Sequence, residues 1–592
     1  MEASTLRAPR AASAARRRAV SIAAAIAPLT LITVIGALLR LWSFAQVAPN
    51  PFYDAAVRSM TLSWHNFLFG AFEPGAQVSV DKVPADLWLQ VASVKLFGFS
   101  SSALRLPEAI AGIVAIPLLY DLVRRLFGKR AGLGAAAALA VLPTAILTAH
   151  SDTMDSVMML LDVLAAWLVV VGARSRRAWP VIAAGAVLGL AFNVKLFQAL
   201  IVVPALGVLM LLAVQGPLRR RALAIGGSLV AFVAVSLSWI AAASQTPLGR
   251  RPWPIGSTDG SIWNVVFKFN GIDRLNAPAS PRALAQDPPG ALRLFNATGP
   301  HYATTVGSML LAALVLGATA AVAALVIRRR KIDRLQLAGA AFLGVWLVVG
   351  VAVLSHMQRL QPRYLEAATP AIAAVLGVGL AGLVAAAGSH RRVGAALLVA
   401  AVGAAAVGAA LLAGPPTWAL VVALAAVAGC VAVAAAVAWP RRAATLAVLG
   451  LVAVLAVPAS AAITVAREHR SDAGLPVPAP SAALTAFLTT HQGHARYEVV
   501  SPTVARASPL IIHDARPVLM LTSLYARPLL DAAQLKHLVA TGQVRYMLGR
   551  GSCGSTHCPP VVRWARAHAH DVSKSAGLPA GTITQLTLGK GH

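Results

Sequence analysis

The chain has 592 residues, of which 58% are hydrophobic and only 12% are charged, and its net charge is +30 at pH 7. About a quarter of the residues are charged in an ordinary soluble domain, so this composition excludes a soluble enzyme and indicates a polytopic membrane protein. The basic residues form short clusters between apolar runs, as membrane topology requires. A nucleic-acid-binding protein would gather them on one module, so that class is excluded as well.

Thirteen apolar segments are predicted to cross the membrane, since a span needs about 20 apolar residues and somewhat fewer where a helix is short. Arg16, Arg17 and Arg18 precede the first segment, which lacks a convincing cleavage site and is therefore interpreted as a signal anchor. The predicted spans are 20–42, 104–124, 131–149, 155–173, 180–194, 198–215, 222–243, 304–327, 337–355, 367–387, 393–413, 417–438 and 443–465.

Every second connection between these spans carries a cluster of Lys and Arg, which places those connections in the cytoplasm. The short segments on either side of Lys195 are kept as two spans, because merging them would destroy this alternation. The topology predicts a multi-pass plasma-membrane protein with its N-terminus in the cytoplasm and its C-terminal domain outside the cell. The predicted parts are a basic arm (1–19), a transmembrane domain (20–466) with long outer loops (43–103 and 244–303), a linker (467–481) and an extracytoplasmic domain (482–592).

The C-terminal domain is predicted to be a small α/β unit. Short apolar strands are expected in YEVVS, PLIIH, PVLMLTS and VRYML, and a helix in LDAAQLKHLVATG. Cys553 and Cys558 could form a disulfide in an oxidising compartment. His557 lies near them, but the cluster lacks a fourth ligand, so no metal site is predicted there.

The first outer loop contains two predicted interfacial helices, over residues 51–68 and 84–97. Its candidate carboxylates are Asp54 and Asp81. For Asp81 the alternative is a helix cap at Pro84, and for Asp54 it is a structural role at the surface.

Four carboxylates in all are candidates for the chemistry, because HSDTMDSVMMLLD after the third span adds Asp152 and Asp155. The alternative is that Asp152 caps the fourth helix and Asp155 interacts with its dipole. Asp162 lies two turns deeper on the same face. An ionisable group at that depth is usually paired or functional, and Lys195 or Lys82 could be its partner.

Cations suited to a phosphate also fall on the predicted outer face. Arginine can bind phosphate in a bidentate manner, while the alternative is that these cations anchor lipid headgroups. The second outer loop contributes RRPWPIGSTDGSIWNVVFKFNGIDRL. The candidate phosphate contacts are Lys82, Lys195, Arg359, Arg363 and Tyr364.

The order of these motifs resembles glycosyltransferase family 39 of the GT-C superfamily, in the bacterial branch of aminoarabinose transferases and protein mannosyltransferases. The resemblance covers most of residues 20–465 and is carried by YDAAVRSM, DKVPADLWLQ followed by LFGFSSSALRLPEAIAG, SDTM and RYLEAATPAIA. Pro49 and Asn50 stand where the family usually has Asp-Glu, and Val83 replaces the first proline of a Pro-Pro pair. Asp54, one helical turn later, or Asp81 could replace the missing first carboxylate.

The resemblance implies a GT-C membrane fold and an inverting transfer of a sugar from a polyprenyl phosphate to an acceptor outside the membrane. Asp54 is the first-choice base, Asp81, Asp152 and Asp155 support the acceptor or a metal, and the cations stabilise the departing phosphate. No cofactor is required, although a divalent cation is compatible with several carboxylates. The acceptor could be a protein, a lipid or a glycan. The alternatives are a transporter or lipid flippase and a non-catalytic envelope protein that binds glycolipid.

Overall fold

Long helices make up most of the computed structural model. It describes residues 26–48, 50–276, 287–298, 301–328, 333–436, 441–472, 479–524, 527–549 and 558–588. Up to the second outer loop the helices are α1 (Ile26–Gln46), α2 (Pro51–Met60), α3 (Trp64–Phe69), α4 (Ala85–Phe97), α5 (Ser101–Phe127), α6 (Lys129–Ala140), α7 (Pro143–Ala149), α8 (Asp155–Ser175), α9 (Trp179–Lys195), α10 (Val203–Ala213), α11 (Leu218–Ser244) and α12 (Asp273–Asn276). Beyond it they are α13 (Ser308–Ala323), α14 (Arg334–His356), α15 (Thr369–Ser389), α16 (Arg391–Ala413), α17 (Thr417–Ala436), α18 (Arg441–Arg467), α19 (Ala482–His491), α20 (Val504–Asp514), α21 (Ala532–Ala540) and α22 (Pro560–Ala567).

Eleven helices within the described ranges are long and apolar enough to cross a membrane, and the bent pair α6–α7 makes twelve. One of the eleven, Trp179–Ala213, contains both α9 and α10. Between them the backbone breaks at Leu196, whose φ of 50° lies in the left-handed region. The number of crossings therefore depends on whether the chain turns back at that break.

Helix α9 runs parallel to α11, which decides the question. Gly185 packs on Ser228, Gly189 on Phe232 and Val235, and the Asn193 side chain donates to the Val235 carbonyl at 2.8 Å. Residue numbers rise together in both helices, so the chain must return between them, and α10 is the returning segment. The described helices then give thirteen crossings, as the sequence predicts, including the separate segments on either side of Lys195.

The basic connections meet on one side of the helical bundle. Arg221 and Arg334 donate to the carbonyls of Leu211 and Leu212, at 3.1 and 2.8 Å, where α10 ends. Arg174 donates to the Arg125 carbonyl at 2.8 Å. The long loops and the C-terminal domain lie at the opposite ends of the helices.

The two long loops join through a short parallel sheet. Strand β1 (Val78–Ser79) pairs with β2 (Trp253–Pro254). Helix α4 confirms the helix predicted over 84–97, whereas the single helix predicted over 51–68 is divided into α2 and α3 by a turn at 61–63. A π-helical segment, Asn264–Ile272, follows β2 in the second loop and carries the chain to α12. The pairing holds that segment against the first loop.

The C-terminal domain contains a five-stranded mixed sheet in the order β4-β3-β5-β7-β6. Its strands are β3 (Val499–Ser501), β4 (Val518–Met520), β5 (Tyr546–Leu548), β6 (Ala569–Asp571) and β7 (Ile583–Leu586). Three of the predicted strands and the predicted helix are confirmed. The strand predicted in PLIIH is wrong, because this segment forms the second half of α20, whose apolar residues recur with helical spacing.

The C-terminal domain packs on the first loop. Helix α20 lies against α2. The Gln77 side chain donates to the Met520 carbonyl at 3.0 Å and accepts from the Met520 N–H at 2.8 Å. The domain therefore covers the helix that carries Asp54.

Candidate active site

Two buried carboxylates face each other beneath the C-terminal domain. Asp54 lies in the first turn of α2 and is 2% exposed, and Asp152 lies between α7 and α8 and is fully buried. Among the described residues, Asp54 Oδ1 and both Asp152 carboxylate oxygens have no hydrogen-bond donor. Burial, and next the Asp152 carboxylate, raise the pKa of Asp54 well above its ordinary value. Two adjacent buried carboxyl groups tend to share one proton. The carboxylate that remains ionised can then accept a second proton.

Asn50, which stands where the resemblance leads one to expect a carboxylate, is the N-cap residue of α2. Its side-chain oxygen accepts from the Phe52 N–H at 3.2 Å, and Pro51 occupies the first helical position. Asn50 is thus a helix cap, and Asp54 is the first carboxylate that the helix carries inward. Pro49 lies outside the described residues. The surface alternative for Asp54 is wrong, because the side chain is buried.

Helix α8 is capped from another helix. Its N-cap residue, Met154, has φ of 74° and makes no side-chain cap. Instead, Glu108 of α5 accepts from the N–H groups of Ser156 and Val157, at 2.8 and 3.3 Å. The cap predicted for Asp152 is therefore wrong, while Asp155 does lie in the first turn.

A second acidic pair lies behind the first. The pKa of Asp86 is raised to about 6, mainly by burial, and Glu108 is its acidic neighbour. The Gln90 amide donates to Asp86 Oδ2 at 2.7 Å and to the Asp152 carbonyl at 3.3 Å. Gln90 thus connects the two pairs. The sequence interpretation missed both Asp86 and Glu108, although both lie in the quoted motif region after Asp81.

Asp155 is held in a buried ion pair. Lys195 Nζ lies 2.9 Å from Asp155 Oδ2, and both side chains are nearly fully buried. Thr153 and Gln198 also donate to the Asp155 carboxylate, at 2.8 and 3.1 Å. Lys195 donates to the Thr153 carbonyl as well. The reversal of the chain at Leu196 brings this lysine to the start of α8.

Asp81 contacts two cations more loosely. It lies 3.5 Å from Lys82 and 3.7 Å from Arg274, and both distances exceed the length of a good hydrogen bond. Lys82 lies over the ring of Tyr53, 5.1 Å from its centroid. The cap predicted for Asp81 is wrong, because Pro84 is the N-cap residue of α4 and no side chain caps it.

These cations line a cavity of about 240 Å³ between the second loop, the segment 196–202 and α14. Loop residues supply its polar wall, and span residues such as Val349 and Val353 supply its apolar wall. Val349 lies about 10 Å along the helix from His356, so the apolar part extends into the membrane. The lining residues are Lys82, Lys195, Leu196, Phe197, Gln198, Leu200, Ile201, Asn270, Gly271, Arg274, Leu275, Val349, Val353, Leu354, Met357 and Tyr364.

Comparison with known proteins shows similarity in two segments of the chain and in the fold. Residues 81–239 match the family model "Dolichyl-phosphate-mannose-protein mannosyltransferase", and residues 484–568 match "Putative mannosyltransferase YkcB-like, C-terminal". The solved structure of ArnT from Cupriavidus metallidurans bound to undecaprenyl phosphate superposes with a TM-score of 0.52 at 17% identity. The superposition covers 95% of this chain and 97% of that one. The chain therefore shares the fold of that membrane protein.

Two curated relatives from Bacillus subtilis (strain 168) match part of the chain. "Putative mannosyltransferase YkcB" is 32% identical over 253 residues, which are 43% of this chain and 35% of the relative. "Putative mannosyltransferase YycA" is 33% identical over 250 residues, which are 42% of this chain and 36% of the relative. The matches span about a third of each relative's length.

The predicted phosphate contacts have different surroundings in the structure. Lys82, Lys195 and Tyr364 line the cavity. Arg363 does not line it and instead lies 3.1 Å from the carboxylate of Asp472. Arg359 lies in the turn between α14 and the segment Pro362–Ala368 and is not a lining residue. Arg274 is a lining cation that the sequence interpretation missed, although it lies in the motif FNGIDRL of the second loop.

The remaining predictions concern isolated groups. Lys195 contacts Asp155 and Lys82 contacts Asp81, so neither forms an ion pair with the buried Asp162. Cys430 is free and Cys558 is disulfide-bonded. Cys553 and His557 lie outside the described residues. Within the described ranges no group of three or more His, Cys, Asp or Glu side chains could hold a metal ion.

Proposed function

We propose that the protein transfers a sugar from a polyprenyl-phosphate donor to an acceptor on the outer face of the plasma membrane, with inversion at the anomeric carbon. The observation that carries this proposal is the cavity lined by cations on its loop side and by apolar residues on its membrane side. That pairing suits an anionic headgroup joined to an isoprenoid tail. Its neighbour is a buried carboxylate pair that can accept a proton.

The geometry ranks the cations for the donor phosphate. Lys195 is held by Asp155 and by the Thr153 carbonyl, and Arg363 is held by Asp472. Lys82 and Arg274 have longer contacts with Asp81, so they can turn toward a phosphate at smaller cost. We assign them the departing phosphate, with the Tyr364 hydroxyl as a further donor.

Asp54 remains the first choice for the base. Asp81 and Asp155 each contact cations, whereas the described cations do not form ion pairs with Asp54 or Asp152. A carboxylate that lacks a bound cation and has a raised pKa is the better proton acceptor. Asp152 shares the proton and holds the acceptor hydroxyl near Asp54.

The orientation follows from the basic connections, which we place in the cytoplasm. The candidate site and the C-terminal domain then face the outside. That domain lies over α2, where an acceptor must approach Asp54. The acceptor can be a protein, a lipid or a glycan, and the sugar a hexose or a pentose.

The test uses the purified full-length protein in lipid nanodiscs with radiolabelled polyprenyl-phosphate sugars and an envelope fraction as acceptor. We expect transfer by the wild type and a loss of about 10²- to 10⁴-fold in Asp54→Asn and Asp152→Asn. Asp259→Asn in the second loop is the matched control, because it makes the same chemical change at a carboxylate whose partners, Ser257 Oγ and the Ser261 N–H, lie in its own loop. Undiminished transfer by Asp54→Asn removes Asp54 as the base.

The same preparation distinguishes a flippase. In sealed vesicles, a flippase moves the labelled lipid between leaflets without changing it chemically. Appearance of the lipid in the other leaflet with no labelled acceptor overturns the transferase proposal.

A further inference from the structure

The residues that follow the last span connect two segments of the candidate site. The Asp472 N–H donates to Ser151 Oγ at 2.8 Å, and Ser151 immediately precedes Asp152. The Asp472 carboxylate accepts from the backbone N–H of Arg363 at 2.9 Å and lies 3.1 Å from its guanidinium. One residue thus holds the turn that carries Asp152 and the segment that begins at Pro362.

The contact with the Arg363 N–H satisfies a helix terminus. The segment Pro362–Ala368 is a 3₁₀ helix, and the first N–H groups of a helix have no partner within it. Asp472 supplies that partner from a distant part of the chain. The Arg363 guanidinium also donates to the Asp472 carbonyl at 3.3 Å, which makes the attachment multidentate.

The same segment forms part of the cavity wall. Arg363 lies over the ring of Tyr364, 5.3 Å from its centroid, and Tyr364 lines the cavity. The Tyr364 carbonyl accepts from Gln198 at 3.3 Å, and Gln198 also donates to Asp155. A shift of the 362–368 segment would therefore move both the cavity wall and the support of Asp155.

We propose that Asp472 is a positioning residue that fixes the 362–368 segment relative to the Ser151–Asp152 turn and thereby sets the affinity for the donor phosphate. This inference rests on the proposed function. It gives the start of the C-terminal region a part in donor binding, in addition to covering α2.

Electrostatics alone predicts the opposite result. A carboxylate beside Arg363 weakens the attraction of the site for an anion, so its removal would tighten donor binding. Loss of positioning weakens donor binding. The direction of the change in KM therefore decides between the two roles.

The experiment compares Asp472→Ala with Asp472→Asn, which keeps a side-chain acceptor for the Arg363 N–H. The control is Glu468→Ala, which removes one negative charge from the same region but belongs to an exposed pair with Arg470. We expect the donor KM of Asp472→Ala to rise about tenfold, as loss of a hydrogen bond to a charged group would produce. Asp472→Asn should recover most of it, and kcat should change less than KM.

An unchanged or lower KM in Asp472→Ala overturns the positioning role. If that variant does not fold, Ser151→Ala, which removes the acceptor of the Asp472 N–H, provides the comparison. We then expect it to bind polyprenyl phosphate without a sugar more weakly than Glu468→Ala does, and an equal affinity overturns the positioning role. Failure of the proposed function is separate: the wild type would then transfer no sugar, while the affinity for polyprenyl phosphate would still test Asp472.

Discussion

The carboxylates of the candidate site fall into two groups that differ in their partners. Asp54 and Asp152 face each other, and three of their four carboxylate oxygens accept no hydrogen bond from the described residues. Asp155 follows Asp152 by three residues and Asp81 follows Asp54 by 27, yet each contacts a cation. The same side chain thus serves different chemistry, because burial without a cation favours the protonated form and an ion pair favours the charged form. The comparison assigns proton transfer to the first group and cation placement to the second.

The largest expected effect concerns the ion pair of Asp155. In Lys195→Met the Asp155 carboxylate stays buried without its cation, which should destabilise the protein by about 3–5 kcal/mol. Thermal unfolding in detergent measures the loss. The double variant Lys195→Met/Asp155→Leu should recover most of the lost stability. If Lys195→Met is as stable as the wild type, the ion pair with Asp155 does not stabilise the fold.

The next effect distinguishes the cations that can turn toward the donor. Lys82→Gln and Arg274→Gln should each raise the donor KM about tenfold, because each removes one charge from the phosphate contact. Unfolding temperatures should change little, since both contacts with Asp81 are long. Donor titration in nanodiscs checks this, and Arg359→Gln is the control because Arg359 does not line the cavity. Equal effects in all three variants would contradict the ranking.

A smaller effect concerns pH. The pKa of Asp54 is raised by burial and by Asp152, so its ionised form is lost as pH falls through a value above the usual range of an aspartate. The acidic limb of the rate profile should therefore lie above that range. Removal of the neighbouring charge in Asp152→Asn lowers the pKa of Asp54, so the limb of the residual activity should move to lower pH. If the acidic limb of Asp152→Asn stays at the same pH, the Asp152 carboxylate does not raise the pKa of Asp54.

The smallest effect concerns the stability contributed by a buried carboxyl group that has no proposed part in the transfer. Glu73 is buried near the C-terminal domain, and burial raises its pKa to about 7. Because the folded-state pKa exceeds the unfolded one, the stability from its protonated form is present at low pH. It is lost as pH rises from about 4.5 through the folded pKa near 7. Unfolding temperatures should fall by a few degrees over that range, and Glu73→Gln should flatten the dependence without affecting transfer.

Some parts of the site could be predicted because the signal is local. Asp54, Asp81, Asp152 and Asp155 are carboxylates in loops of an otherwise apolar chain, and such groups stand out in a sequence. Their partners could not be predicted, because Lys195 lies 40 residues from Asp155 and Arg274 lies 193 residues from Asp81. Glu108 was missed for the same reason: its motif lies inside a span, and its role as a cap of α8 depends on the packing of α5 against α8.

The membrane class, the thirteen crossings and three strands of the C-terminal sheet could be read from the sequence, because apolar run length and residue spacing are local consequences of burial. The helix α20 could not, because the apolar segment PLIIH was predicted to be a strand but is helical and packs against α2. Tertiary contacts set which carboxylates pair with cations, which lysine is held and how Asp472 reaches Arg363. Each of these depends on contacts between distant segments, and the electrostatic environment of a buried charge is set by those contacts.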